Sequence, residues 1–197
     1  MHQPLLMILL LCMALVTTPA LTFAEALPAE TAPLTYQIDS QNSRVEFTAT
    51  VNGAPVQGSF HALQGNITFS EANMQGNSAN IHINTHEVNS SYEAVTNALI
   101  EKDWLASSLF HDAIFTSRKF TKQTQANYNV QGDLTLRDIT KPLSIDFTID
   151  SISDHAASAH GQVQLKRLDF GIGQGEWADT SVVKDEVSIT FVVNATR

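Results

Sequence analysis

The segment at residues 168–180, LDFGIGQGEWADT, places three glycines at alternate positions, Gly171, Gly173 and Gly175. Such a cluster can hold a phosphate on backbone N–H groups, shape a sharp bend, or let a ligand approach the main chain. A dinucleotide fingerprint needs the spacing G-x-G-x-x-G followed by a helix, whereas the spacing here is G-x-G-x-G and a strand pattern, DEVSITF, follows. A P-loop is excluded because no Lys-Ser/Thr pair ends the motif. The glycines therefore indicate a bend or loop at the rim of a sheet, after a strand that ends at Leu168 and Phe170. If the sheet closes into a barrel, Trp177 is expected near the barrel's open end.

Histidines are the second group that could do chemistry, as metal ligands. His82 and His86 are four residues apart, the spacing that binds zinc from a helix. Both lie in a strand pattern, where four residues span about 13 Å, so the two rings cannot share an ion. The others, isolated or in a loop of small residues, include His61, His111, His155 and His160. We expect surface histidines and no metal site.

Catalytic patterns are equally sparse. The sequence has no G-x-S-x-G nucleophile elbow. Glu46, Asp146 and Asp150 alternate outward on the polar faces of predicted strands. A hydrolytic carboxylate pair assembled in three dimensions stays open as an alternative, because such pairs are not visible in sequence. We predict no catalytic residue and no enzyme activity.

Composition limits the class of partner and compartment. The chain has 197 residues and a formal net charge of −9, and it has no basic cluster that could neutralise nucleic-acid phosphates. The one cysteine, Cys12, lies in an N-terminal apolar run. A domain beyond it would contain no disulfide, thiolate metal ligand or cysteine nucleophile. Nucleic acid is therefore not an expected partner.

The N-terminus has the organisation of a secretory signal. An apolar run from Leu5 to Val16 precedes small residues that allow cleavage after Ala24 or Ala26. The run is shorter than the ~20 residues of a membrane span. The region before it lacks Lys and Arg, and an uncleaved anchor is the alternative. We predict a signal peptide at 1–26, a tether at 27–34 and one domain at 35–197.

Period-two alternation of apolar residues dominates that domain. In SRVEFTATV, for example, Val45 and Phe47 face one way while Arg44 and Glu46 face the other. The eight runs with this pattern are 43–51, 65–69, 79–84, 113–117, 128–136, 142–149, 161–165 and 185–195. They predict an all-β, antiparallel sheet with one buried face, closed as a barrel or folded as a sandwich.

Residues 91–110 interrupt the alternation. Val95, Ala98 and Leu99 fall at helical spacing, and Ser90 or Ser91 could cap the helix. We predict one helix here and a short second helix around residues 104–109. Such an insert could cover one end of a barrel. An eight-stranded barrel has an interior that side chains fill or that holds one small ligand.

The residues from about 34 to 196 resemble the YceI-like family of periplasmic, lipocalin-like proteins. The resemblance is carried by Val56, Gly58 and Phe60 in V-x-G-x-F, by GDLTLRDITKPL, by KDWLASSLFHDAIFTS and by RLDFGIGQGEWADTSVVKDEVSITF. It implies an eight-stranded antiparallel barrel whose interior binds a polyisoprenoid lipid, such as a polyprenyl chain or a quinone tail. The closing FGIGQGEW resembles a branch associated with b-type membrane cytochromes, which implies such a partner. An accessory redox or stress-response subunit with a filled barrel is the alternative function.

Three departures from the family pattern affect polar groups that could contact a headgroup: Asn42-Ser43, Val95-Thr96 and His111. They leave an apolar tunnel intact. We therefore predict a periplasmic carrier with no cofactor other than a bound lipid, and we leave the oligomeric state open. The candidate ligand-binding residues are Phe47, Phe60, Phe69, Leu99, Trp104, Leu105, Phe110, Phe115, Phe147, Phe170 and Trp177.

Overall fold

The computed structural model describes residues 32–197. The predicted signal peptide at 1–26 and most of the predicted tether lie outside the described residues, so the division of the chain at these points stays a prediction. Within the described part, β1 begins at Leu34 and β11 ends at Thr196.

Eleven strands and one α-helix occur within residues 32–197. They are β1 (Leu34–Ile38), β2 (Arg44–Val51), β3 (Ala54–Phe60), β4 (Leu63–Phe69), β5 (Ser78–Asn84), β6 (Val88–Ser90), α1 (Glu93–Ile100), β7 (Asp112–Lys122), β8 (Asn127–Leu136), β9 (Ile139–Ile152), β10 (Ala156–Lys166) and β11 (Val183–Thr196). Short 3₁₀ helices occur at Met74–Gly76, Arg167–Phe170 and Gly175–Ala178. No helix of this part is long and apolar enough to cross a membrane.

These strands form a closed barrel with eight wall strands. Three of the eight are interrupted: β1 continues into β2, β3 into β4, and β5 into β6, because each half pairs with the matching half of its neighbour. The long strand β11 pairs with β10 on one side and with both β2 and β1 on the other, which closes the ring. All of these pairs are antiparallel. The predicted eight-stranded antiparallel barrel with a helical insert is confirmed.

Strand alternation determines what faces the interior. On β11, Ile189 and Phe191 point into the barrel, while Ser188 and Thr190, which alternate with them, are exposed. The same period holds on β9, where Ile145 and Phe147 face inward and Ser144 and Asp146 outward. The barrel interior is therefore built from the apolar members of the predicted runs.

Glycines on the wall give the barrel its curvature. Gly58, Gly132 and Gly161 each lie where an added Cβ would collide with a phenylalanine ring and with a backbone carbonyl of the next strand. The ring over Gly58 belongs to Phe47, its partner across β2 and β3. Glycine at such sites lets a strand bend sharply while an aromatic ring covers the exposed backbone. These rings consequently lie close against the wall.

The insert differs from its prediction. The helix α1 begins at Glu93 after Tyr92, and no side chain caps it, so the predicted capping by Ser90 or Ser91 is wrong. Ser90 instead accepts from the N–H of Tyr92 and donates to its carbonyl. The predicted second helix is also wrong, because residues 101–110 form consecutive turns without a helix.

The segment after β10 also departs from prediction. β10 ends at Lys166, so Leu168 and Phe170 lie on a 3₁₀ helix and not at the end of a strand. Gly171 terminates this helix in the left-handed region at φ 63°. A left-handed residue after Phe170 ends the helix and turns the chain away from the barrel wall.

Candidate functional site

The barrel encloses an apolar cavity of about 310 Å³. Its walls receive side chains from every strand except β6, and from the insert. Arg167 is the only charged residue of the lining within residues 32–197, and nearly all of the other lining residues are apolar. Lining residues reach from Val183 at one end of β11 to Ala195 at the other, so the cavity follows the length of the barrel.

Nine of the eleven predicted ligand-binding residues lie in the cavity wall. They are Phe47, Phe60, Phe69, Leu99, Trp104, Leu105, Phe115, Phe147 and Phe170. Phe110 and Trp177 lie outside the lining: Phe110 is covered by the guanidinium of Arg137 at 5.6 Å, and Trp177 packs on Trp104 with 5.6 Å between ring centroids. Contact of any of these residues with a ligand stays a prediction.

Sequence reasoning did not name the smaller aliphatic residues that complete the wall. Val163, Ile145, Ile189 and Val193 line the cavity beside the predicted phenylalanines. All four occupy inward positions of the alternating runs, so the period-two pattern carries the signal that identifies them.

An aromatic cluster packs at one end of the barrel, which we call the far end and which carries the loops at 70–77, 123–126 and 153–155. Tyr128 stacks on Phe147 with centroids 5.6 Å apart and meets Phe69 edge to face at 5.4 Å. The Tyr128 hydroxyl donates to the Glu71 carboxylate at 2.5 Å, and Lys122 Nζ lies 3.5 Å from the same carboxylate. The Tyr128 ring is fully buried in this cluster and does not belong to the cavity lining, while its hydroxyl reaches Glu71 in the 70–77 loop.

The hydrogen bond from Tyr128 to Glu71 makes the free energy of unfolding depend on pH in the acid range. It holds the pKa of the Glu71 carboxyl below its ordinary value, with a smaller contribution from Lys122. Because the folded-state pKa is the lower one, this stabilisation is complete above the unfolded-state pKa and is lost as pH falls through the folded-state pKa. We expect Glu71→Gln to weaken this acid dependence and to cost less than about 1 kcal/mol at neutral pH, since the carboxylate is half exposed.

Thermal unfolding of the parent protein and of Glu71→Gln between pH 3 and pH 7 measures this acid dependence of stability. Tyr128→Phe keeps the ring and removes the donor, so it should reproduce the weaker acid dependence of Glu71→Gln. An unchanged pH profile in both variants would show that the bond does not contribute to stability.

At the opposite end, which we call the lid end, Arg167 organises the loops. Its guanidinium is buried, and all five of its N–H groups donate to backbone carbonyls. The acceptors, at 2.7–3.3 Å, are the carbonyls of Ile172, Gly173, Trp177, Val183 and Lys184. Burial lowers the pKa of this guanidinium, and the charge of Asp185 opposes that shift. Arg167 is thus held by carbonyl dipoles.

The segment that carries the three glycines lies against this arginine at Gly173. Gly171, Gly173 and Gly175 all adopt positive φ, at 63°, 83° and 63°. A Cβ on Gly173 would collide with Arg167 Nη1, so the chain approaches the guanidinium closely only with glycine there. The motif is therefore a bend at the rim of the barrel, as predicted, and its Ile172, Gly173 and Trp177 carbonyls accept hydrogen bonds from Arg167.

The insert is tied to this glycine loop, residues 171–178. The backbone N–H groups of Gly173 and Gln174 both donate to the Asp103 carbonyl, at 2.7 and 2.8 Å. Arg137 Nη1 joins the Trp104 carbonyl at 2.7 Å to the Gly171 carbonyl at 2.8 Å. Insert and glycine loop together cover the lid end.

Polar groups considered for chemistry lie on the outer surface. His160 Nδ1 lies 2.8 Å from the Asp150 carboxylate, and the rings of His86 and His111 are 6.3 Å apart. No group of three or more metal-ligating side chains occurs within residues 32–197. Glu46 and Asp146 border a shallow groove on the exterior of the barrel. The absence of enzyme activity stays a prediction.

The family departures also lie away from the cavity. Buried Ser43 bonds to the Asn194 carbonyl, Thr96 accepts from the N–H of Ser90, and His111 is exposed. None of them belongs to the cavity lining. These changes therefore do not alter the apolar wall.

A closed antiparallel barrel around an apolar cavity defines the lipocalin-like class of β-barrels. Within it, the family model of the YceI-like domain matches residues 36–195. The chain belongs to the YceI-like family.

Relatives and solved structures agree with this assignment. A UPF0312 protein of Yersinia enterocolitica is 30% identical over 170 residues, covering 82% of this chain and 86% of the relative. The crystal structure of BcnA from Burkholderia cenocepacia matches with a TM-score of 0.76 and 27% identity, over 81% of this chain and 99% of that one. A polyisoprenoid binding domain from Saccharophagus degradans, implicated in plant cell wall breakdown, matches with a TM-score of 0.66 at 14% identity, over 83% of this chain and 98% of that one. At this identity the last match shows the fold alone.

Proposed function

We propose that this protein binds a long apolar lipid of the isoprenoid type, a polyprenyl chain or quinone tail, inside its barrel and carries or sequesters it in the periplasm. The observation that carries the proposal is the cavity: it runs along the barrel and has one charged lining residue within the described part of the chain. The family assignment and the structural neighbour described as a polyisoprenoid binding domain support it.

The lining suits a chain more than a compact polar molecule. Polar ligands need convergent hydrogen-bond partners, and a site without them leaves their donors and acceptors unpaired at about 1–3 kcal/mol each. The one cation, Arg167, has all its N–H groups bonded to carbonyls. An apolar chain needs no such partners and gains about 25 cal/mol for each Å² removed from water.

Affinity should therefore depend on chain length. Each apolar carbon that leaves water contributes about 0.8 kcal/mol, so one fully buried five-carbon isoprene unit contributes up to about 4 kcal/mol. We expect the dissociation constants of geraniol, farnesol and geranylgeraniol to fall at least about tenfold per added unit, which is about 1.4 kcal/mol. The gain should end once the cavity is filled.

Displacement of a fluorescent apolar probe by each alcohol measures these constants. Equal affinity for all three lengths would contradict burial of the chain and with it the proposed function. Saturated alcohols of matched carbon number show how much of the preference depends on the branched, unsaturated chain.

Location and partnership are separate parts of the proposal. A periplasmic carrier should appear in the osmotic-shock fraction of cells, without the residues of the predicted signal. A b-type membrane cytochrome remains a candidate partner, for which the exposed Glu176 and the neighbouring Trp177 are the test positions. Loss of co-purification on replacing either residue would support the contact, whereas retention in both variants would contradict it at this site.

A further inference from the structure

One seam of the barrel wall is incomplete. β9 and β10 pair from Ala157 opposite Ile152 to Gln162 opposite Asp146, and the pairing ends there. β9 extends toward the lid end for seven more residues, 139–145, and β10 for four, 163–166. Among the described residues, no backbone pairing joins these two segments. We call this region, residues 139–145 and 163–166, the split.

At the split, each of the two strands is hydrogen-bonded only to its neighbour on the side away from the split. β9 pairs with β8 through Ile139 opposite Leu136, and β10 pairs with β11 through Lys166 opposite Glu186. Pro142 lies in the part of β9 that pairs with β8 but not with β10, and it has no N–H to donate to a ladder. Prolines within sheets are confined to edges and irregular positions, which is what the split provides.

The split opens onto the cavity. Leu143 and Ile145 on one side and Val163 and Leu165 on the other all belong to the cavity lining, and all four are only partly buried. Phe170 of the following 3₁₀ helix shares one hydrophobic cluster with Leu143, Ile145 and Leu165. Apolar side chains close this part of the wall where backbone hydrogen bonds close it elsewhere along the seam.

A ligand could reach the cavity either under the insert at the lid end or sideways through the split, and opening each route breaks different interactions. To lift the insert off the glycine loop, the protein must break the two bonds to the Asp103 carbonyl and the bond from Arg137 to the Trp104 carbonyl. The packing of Trp104 on Trp177 must be given up as well. Separating the strands at the split breaks no backbone ladder bond between them and instead parts the apolar side chains that close it.

We infer that the apolar ligand enters and leaves the barrel sideways through the split between β9 and β10, while the lid end stays closed. This inference rests on the proposed function, since it concerns the route to the same cavity. A sideways route lets a long chain slide into the cavity along its length without displacing the loops around Arg167.

Three cross-links in a Cys12→Ser background test the route. Ser144→Cys with Gln164→Cys spans the split, because both are exposed and continue the register of the last pair. Asp103→Cys with Gln174→Cys locks the insert to the glycine loop. Thr148→Cys with His160→Cys is the matched control across the paired part of the same two strands. Each pair is joined with a short bismaleimide, and the cross-link is verified by mass.

The readout is transfer of diphenylhexatriene, a rod-shaped apolar fluorophore, from the loaded protein to phosphatidylcholine vesicles. We expect the cross-link over the split to slow transfer at least tenfold, and the other two cross-links to stay within about twofold of their unlinked forms. Slowing by the insert cross-link together with free transfer in the split cross-link would overturn the inference. If the unlinked proteins take up no probe, the proposed function itself fails, which is a distinct result.

Discussion

Replacing Ile189 with tryptophan should lower the affinity for a prenyl lipid at least a hundredfold. Ile189 lies near the middle of β11, between Val163 on β10 and Phe47 on β2, and its side chain lines the cavity. The larger indole at this position projects into a cavity of only about 310 Å³. A chain that must run past it loses burial on both sides, at about 0.8 kcal/mol per carbon excluded.

The neighbouring residue supplies the matched control. Ser188→Trp adds the same indole to the same strand on the exposed outer face, so it should bind the lipid as the parent protein does. Because the indole of Ile189→Trp enters a cavity, the loss in free energy of unfolding should stay within the range of about 1–3 kcal/mol seen on overpacking. Titration with geranylgeraniol compares the variants, and equal affinity in all three proteins would show that the ligand does not occupy the barrel.

Replacing Arg167 with methionine should be the most destabilising single change at the lid end. The methionine fills similar space but leaves five backbone carbonyls without their donor. A hydrogen bond to a charged group contributes about 1.5–3 kcal/mol, although such contributions do not add fully within one network. We expect a loss of about 4 kcal/mol and a melting temperature lower by roughly 10 °C for a domain of this size.

Arg167→Lys separates charge from geometry. Lysine keeps the positive charge with fewer donors and no planar fork, so its melting temperature should lie between those of the parent and the methionine variant. Differential scanning calorimetry measures both changes. A melting temperature of Arg167→Met within 2 °C of the parent would show that the hydrogen bonds from Arg167 to the five carbonyls do not hold the glycine loop.

The barrel was predictable because the alternation of apolar and polar residues that indicates its strands can be seen within each short run of the sequence. Inward residues such as Ile145 and Phe147 recur at every second position, and eight such runs require a closed or stacked antiparallel sheet. The strand β3 was missed because Pro55 and Gly58 weaken its pattern, although its glycine is what lets the wall bend over Phe47.

The cavity was not predictable from periodicity. A phenylalanine at an inward position looks the same in sequence whether its ring fills the lumen or lies against the wall. For Phe47 the difference depends on Gly58 of the next strand, and for Phe191 on Gly161. These pairs exist only once strand register is known, so the open interior had to come from the resemblance to the family.

The position of the loop at the lid end was predictable from the sequence, but the hydrogen bonds that hold this loop were not. Gly171, Gly173 and Gly175 indicated a rim bend, and the bend is present. The burial of Arg167 had no signal of its own, because a lysine–arginine pair at the end of a strand is typical of solvated residues. Its role follows from carbonyls that come together only when residues 172–184 fold back over β10 and β11.

Mass spectrometry of the protein purified from its native cells, without detergent or added lipid, tests the central claim most directly. Native spectra should show one bound molecule per barrel, and solvent extraction of the same sample should release a prenyl lipid in equal molar amount. The Ile189→Trp protein, prepared in parallel, should carry none while Ser188→Trp remains loaded. A parent protein that is empty in native spectra and yields no prenyl lipid on extraction would contradict the account.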